Sequence, residues 1–74
     1  SRSVLVERFT RMTGESPMHY LARWRMQRAT RLLAEPTAKV ASVARAVGYD
    51  SEGAFSRAFK KAVGASPAHW RQER

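Results

Sequence analysis

The sequence predicts an all-α fold in which two helix-turn-helix units are joined by a long helix. Three observations point to it. The chain repeats itself at an offset of fifty residues, Pro, Gly and Ser punctuate both copies at matching places, and apolar residues between the copies recur at steps of three and four. Size permits little else. Seventy-four residues without a cysteine make one small domain, with no disulfide framework, no thiolate metal site and no room for a large internal cavity.

At the fifty-residue offset Ser1 falls on Ser51, Leu5 on Phe55, Phe9 on Phe59, Arg11 on Lys61, Gly14 on Gly64, Ser16 on Ser66, Pro17 on Pro67, His19 on His69 and Tyr20 on Trp70. The shared string is Gly-x-Ser-Pro-x-His-aromatic, with a Phe five residues upstream. Glycine takes the left-handed conformation that closes a helix, serine caps the next one, and proline suits its first position. Each copy therefore reads as helix, turn, helix. Gly-x-Ser-Pro alone is a common way to restart a helix, but the matched aromatics on both sides favour duplication. His19 and His69 occupy corresponding places in separate copies, so they read as first-turn polar residues and not as ligands of one site.

The elements follow in order. A first helix near residues 1–12 turns Leu5 and Phe9 inward. Met18, Leu21, Ala22, Met26, Ala29, Leu32 and Leu33 form the apolar stripe of a second helix from about Pro17 to Ala34, stopped by Glu35-Pro36 because proline disfavours helix in its predecessor. A short helix then carries Val40, Val43, Ala44 and Val47 on one side. Gly48 makes a tight turn, Asp50 or Ser51 caps a helix near 51–62 with Phe55 and Phe59 inward, and Ser66-Pro67 starts the last helix. Ala44 followed by Gly48 and a capped helix is the sequence form of a helix-turn-helix. The segments are thus 1–16, recognition helix and turn of a first unit; 17–35, linker helix; and 38–74, a second unit with its C-terminal helix. By the repeat, the counterpart of residues 38–50 belongs upstream of Ser1, so the first unit is expected to be incomplete in this chain.

Charge narrows the function. Fourteen Lys+Arg against six Asp+Glu give +8, which suits a polyanion. Two histidines, six scattered carboxylates and four isolated glycines supply no metal-spaced cluster, no phosphate loop and no acid/base pair, so neither catalysis nor a cofactor nor a metal is expected. The apolar runs are too short to span a bilayer, and Glu7-Arg8 interrupts anything resembling a signal peptide.

Several strings resemble one family. Phe9-x4-Gly-x-Ser-Pro-x-x-Tyr-Leu, Arg25-Met26-x-x-Ala29-x-x-Leu32-Leu33, Val43-Ala44-x-x-Val47-Gly48-Tyr49, Phe55-Ser56-Arg57-x-Phe59-Lys60-Lys61 and Gly64-x-Ser66-Pro67-x-x-Trp70-Arg71 are similar to the DNA-binding domain of the AraC/XylS family of bacterial transcription regulators. The match runs along essentially the whole chain. Tyr49 and Trp70 stand where the family more often has Phe, and Tyr or Phe; Lys39 stands where many members have a Ser that caps the first helix of the second unit, which leaves Thr37 as the substitute cap. The resemblance implies homeodomain-like three-helical units, seven helices in all, of which this chain holds the last five. It further implies double-stranded DNA as partner, RNA polymerase as a second one, a sensing or dimerisation domain elsewhere in the parent protein, and a place on the nucleoid in the bacterial cytoplasm.

With Phe55 and Phe59 turned inward, Glu52, Gly53, Ser56, Arg57 and Lys60 remain outside; with Leu5 and Phe9 inward, Arg2, Ser3, Val6, Glu7 and Arg11 remain. By the resemblance, Ser3, Val6 and Glu7 lie against base edges in one major groove and Gly53, Ala54 and Arg57 in the next. Arg57 suits guanine, Glu7 cytosine, and Val6 or Ala54 a thymine methyl. Ser1, Arg2, Arg11, Ser51, Ser56, Lys60 and Lys61 are the phosphate candidates. The alternative for Arg57 is an ion pair with Asp50 or Glu52. A rival function, a basic amphipathic interaction or membrane-surface module, is suggested by Arg23-Trp24-Arg25; it accounts for the linker but not for the repeat or the capped turn. An RNA-binding module is a nearer rival, but the aromatics fall at core spacing rather than on a stacking platform.

Overall fold

The computed structural model describes residues 2–74, so the parts given to Ser1, counterpart of Ser51 and phosphate contact, lie outside the described residues. Five helices follow one another: α1 (Arg2–Thr13), α2 (Pro17–Leu33), α3 (Val40–Ala46), α4 (Glu52–Val63) and α5 (Pro67–Gln72). Among the described residues there is no strand.

Local chemistry sets most helix ends. Ser16 and Ser66 hold nearly the same extended backbone (φ −66°, ψ 156° and φ −64°, ψ 157°), and their hydroxyls accept the N–H groups of His19 and His69, each at 3.2 Å. Pro17 and Pro67 open α2 and α5. Gly14 (φ 80°) and Gly64 (φ 100°) take the left-handed conformation that closes α1 and α4, so the two copies of the repeat share a backbone path. Ser51, not Asp50, caps α4: its hydroxyl accepts the Ala54 N–H at 3.1 Å. Thr37 does not cap α3. Its hydroxyl donates to the Glu35 carboxylate at 3.2 Å, and Lys39 stands at the N-cap with no side-chain hydrogen bond.

The core is built from α2, α3 and α4. Met26, Ala29 and Leu33 of α2, Val43 and Ala44 of α3, the following Val47, and Phe55 and Phe59 of α4 are buried. Ala44 has no exposed surface, as a close helix crossing requires. An aromatic ladder continues the core: Tyr49 meets Phe55 at 5.7 Å, Phe55 meets Phe59 at 5.6 Å, and Phe59 meets Trp70 of α5 edge-on at 6.1 Å. Arg71 locks α5 onto this body. Its Nε donates to the Leu33 carbonyl at 3.2 Å and its Nη2 to the Ala38 carbonyl at 2.6 Å, placing a cation at the C-terminal end of α2.

The amino-terminal half differs from expectation. No residue of α1 is buried, and Leu5, expected to face inward, is 66% exposed. Phe9 is half-buried, edge-on to Tyr20 at 5.5 Å, the counterpart of the Phe59–Trp70 pair. Met18, at the head of the α2 stripe, is 77% exposed. The physical reason is that α1 packs against α2, whereas α4 packs against α2, α3 and α5 together. An apolar face is buried only where several elements converge on it.

Candidate nucleic-acid interface

The α3–turn–α4 unit presents one side of α4 outward. Phe55 and Phe59 point to the core, and Arg57 stands on the opposite side, flanked at helical spacing by Gly53, Lys60 and Lys61. Gly53, Arg57, Lys60, Lys61 and Ser51 are exposed; Ala54 and Ser56 are half-buried, at the edges of the outward face. Arg57 makes no ion pair with Asp50 or Glu52, nor any other ion pair or hydrogen bond among the described residues. Its Nη1 lies 3.4 Å from where a Cβ on Gly53 would stand, so the guanidinium folds back over the first turn of α4.

α1 offers a parallel surface. Arg2, Ser3, Val6, Glu7 and Arg11 are all exposed, and Val6, Glu7 and Arg11 line a shallow concavity together with Thr10. Thr10 escaped the sequence reading, although its spacing from Val6, Glu7 and Ser3 puts it on the same face. Its hydroxyl donates to the Val6 carbonyl at 2.9 Å.

The cations divide into two groups. Some serve the fold: Arg23 donates through Nε and Nη2 to Glu15 Oε1 at 3.2 and 2.8 Å, Arg28 donates to the Ala46 carbonyl at 3.3 Å, and Arg25 and Arg74 lie over the rings of Tyr49 and Trp70. The Arg23 hydrogen bonds hold the Glu15 carboxyl below its ordinary range. Arg2, Arg11, Arg57, Lys60 and Lys61 make no hydrogen bond or ion pair among the described residues, and neither do Arg8, Arg31, Lys39 and Arg45. The six of these cations on α1 and α4, two helices joined by a third, make a surface suited to a polyanion in register with the fold. Among the described residues no cluster of His, Asp or Glu could hold a metal, and no helix is long and apolar enough to cross a membrane.

Comparison with known proteins gives this geometry a context. The family model described as a helix-turn-helix domain matches residues 1–73. The chain is also 47% identical over 72 residues to an AraC-like protein of Streptomyces lividans, covering 97% of this chain and 24% of that protein. The chain belongs to the AraC-like helix-turn-helix family. This AraC-like domain is also 40% identical over 73 residues to the transcriptional regulator AlkR of Acinetobacter baylyi, covering 99% of this chain and 24% of that one. It thus spans about a quarter of the length of these relatives. Two solved structures share its path. The C-terminal domain of AraT, a response regulator of Geobacillus stearothermophilus, superposes with a TM-score of 0.96 at 38% identity, covering 100% of this chain and 61% of that one. The DNA-binding domain of AdpA, solved in complex with a target DNA, superposes with a TM-score of 0.91 at 34% identity, covering 99% and 66%.

Proposed function

We propose that this chain is a sequence-specific double-stranded DNA-binding module of a bacterial transcription regulator, with α1 and α4 entering successive major grooves. The observation that carries the reading is the outward face of α4: a buried Phe55–Phe59 side fixes the helix, and the opposite side offers Gly53, Arg57, Lys60 and Lys61 without internal partners. AdpA, whose DNA-binding domain has the same path, was solved on DNA.

Ser3, Val6 and Glu7 are assigned to base edges in one groove, and Gly53, Ala54 and Arg57 to base edges in the next. Ser1, Arg2, Arg11, Ser51, Ser56, Lys60 and Lys61 are assigned to phosphates, which orient the protein without reading sequence. Residues 1–16 are the recognition helix and turn of a first unit, 17–35 the linker, and 38–74 the second unit. The exposed Leu5 and Met18 support a first unit completed by helices elsewhere in a parent protein. Such a protein would carry a sensing or dimerisation domain, act on the nucleoid in the cytoplasm and meet RNA polymerase there. No catalytic role is assigned. A membrane-surface role is disfavoured because Met26, Ala29 and Leu33, which a bilayer would have to receive, are buried against α3 and α4.

Selection of duplexes from a random pool by the intact parent protein tests the reading. Two enriched motifs are expected, centred about one helical turn (roughly 10 base pairs) apart. An unenriched pool would sink it.

A further inference from the structure

We propose that Arg25 is a positioning residue that sets the angle of α4 against α2, and through it the spacing between half-sites that the chain accepts. The inference rests on the DNA-binding reading above and adds a residue which that reading does not use. Arg25 is half-buried on α2, next to the core residue Met26. It makes no hydrogen bond or ion pair among the described residues. Its guanidinium is instead seated on the turn between α3 and α4. A Cβ on Gly48 would stand 3.3 Å from Arg25 Cζ and 3.4 Å from Nη2, and Cζ lies 5.8 Å from the centre of the Tyr49 ring.

Gly48 meets two demands there. Its φ of 93° is costly for any residue with a Cβ, and its bare backbone lets the guanidinium approach. A planar, weakly hydrated guanidinium lies flat against backbone and ring, whereas a compact ammonium does not. Tyr49 passes the contact on to Phe55, and Phe55 to Phe59, the two residues that fix the buried side of α4. Linker helix, turn and recognition helix are thereby joined through one continuous stack.

Small changes at this junction have leverage. The 17 residues of α2 span about 26 Å, so a tilt of ~7° moves one reading face relative to the other by ~3 Å, close to the ~3.4 Å rise of one base pair. Arg25 thus acts on the distance between two readers without touching a base.

The test measures binding of the full chain to duplexes carrying both half-sites at the preferred spacing, at spacings one or two base pairs either side, and to a duplex with the α4 half-site alone. The Arg25→Lys variant is expected to bind the single half-site within about twofold of wild type, to lose about tenfold at the preferred spacing, and to show a flattened spacing profile. Tyr49→Phe keeps the ring and is expected to keep the wild-type profile. Tyr49→Leu removes the ring and is expected to flatten it, which keeps the test open should Arg25→Lys fail to fold. An unchanged profile shape in the Arg25→Lys or Tyr49→Leu variant that folds, whatever happens to overall affinity or Tm, overturns the inference. A wild-type chain that prefers no duplex overturns the DNA-binding reading itself, and the spacing role with it.

Discussion

Arg57 is defined by what it lacks. An exposed guanidinium without an acidic partner loses nothing internal when it turns to a nucleic acid, and its five donors match the O6 and N7 acceptors of guanine. The Arg57→Ala variant is expected to lose about 1–3 kcal/mol of duplex binding and to accept other bases at one position. Fluorescence titration against a set of single-base variants measures both, and a uniform loss over all of them would reassign Arg57 to phosphate. Glu15 is the opposite case, a carboxylate whose Oε1 accepts both Arg23 hydrogen bonds while Oε2 faces the His19 ring at 3.5 Å, with its side chain only 15% exposed. Its folded pKa lies below the unfolded value, so the pair's contribution to stability is complete above the ordinary carboxylate range and drains away as pH falls through the folded value. Denaturant midpoints are expected to fall on acidification through that window, and Glu15→Gln to show less of the fall. An identical pH dependence in both proteins would show that other carboxylates govern it.

Helix ends carry the same logic at the scale of elements. Ser51 is the sole side-chain cap of α4, accepting from Ala54, and α4 supplies both fully buried phenylalanines. Ser51→Ala is therefore expected to cost about 1 kcal/mol of global stability, or about 4–8 °C in Tm for a domain of this size. A calorimetric melt unchanged from wild type would show that α4 is held by its packing alone. Such elements were legible in advance because their causes are local. Ser16, Ser51 and Ser66 cap through neighbours three residues on, Gly14 and Gly64 close helices through their own φ, and helical spacing alone put Arg57 opposite Phe55 and Phe59. What escaped has partners far along the chain, or lacks partners that spacing implied. Arg71 reaches carbonyls 38 and 33 residues away, Arg25 seats on Gly48, and Leu5 has the apolar identity of a core residue without several elements to converge on it. Thr37 had the right chemistry for a cap, but its hydroxyl is satisfied by Glu35 instead. The candidate interface divides the same way: its face follows from helical period, whereas the release of Arg57 from Asp50 and Glu52 depends on side-chain placement that spacing does not determine.

The whole molecule is an elongated body of 44 by 22 by 18 Å, with α1 and the α3–α4 unit joined by α2. That length is of the order of one duplex turn, about 34 Å, the separation that the proposed function asks of two reading helices on one chain. Electrostatics and shape then act together. Of the cations left unpaired by the fold, Arg2, Arg11, Arg57, Lys60 and Lys61 lie on the two helices assigned to the grooves and Arg8, Arg31, Lys39 and Arg45 have no assigned contact, while Arg23, Arg28 and Arg71 are spent on carboxylate and carbonyl groups within the domain. Net charge alone would overstate the counterions released on binding; the cations assigned to phosphate, Arg2, Arg11, Lys60 and Lys61, with helix N-termini and hydroxyls, set the scale at about six phosphates. Each neutralised phosphate contributes about 0.9 to the slope of log affinity against log salt, so a slope near −5 is expected, and a loss of roughly 10³ in affinity between about 50 and 200 mM salt. If all fourteen cations contributed, the slope would be more than twice as steep. Titrations at four or five salt concentrations distinguish these cases. Lys60→Ala or Lys61→Ala singly should reduce the slope by about 1, whereas Arg28→Ala, which removes a cation engaged within the fold, should leave it unchanged. A flat salt dependence would remove the phosphate contacts from the interface altogether.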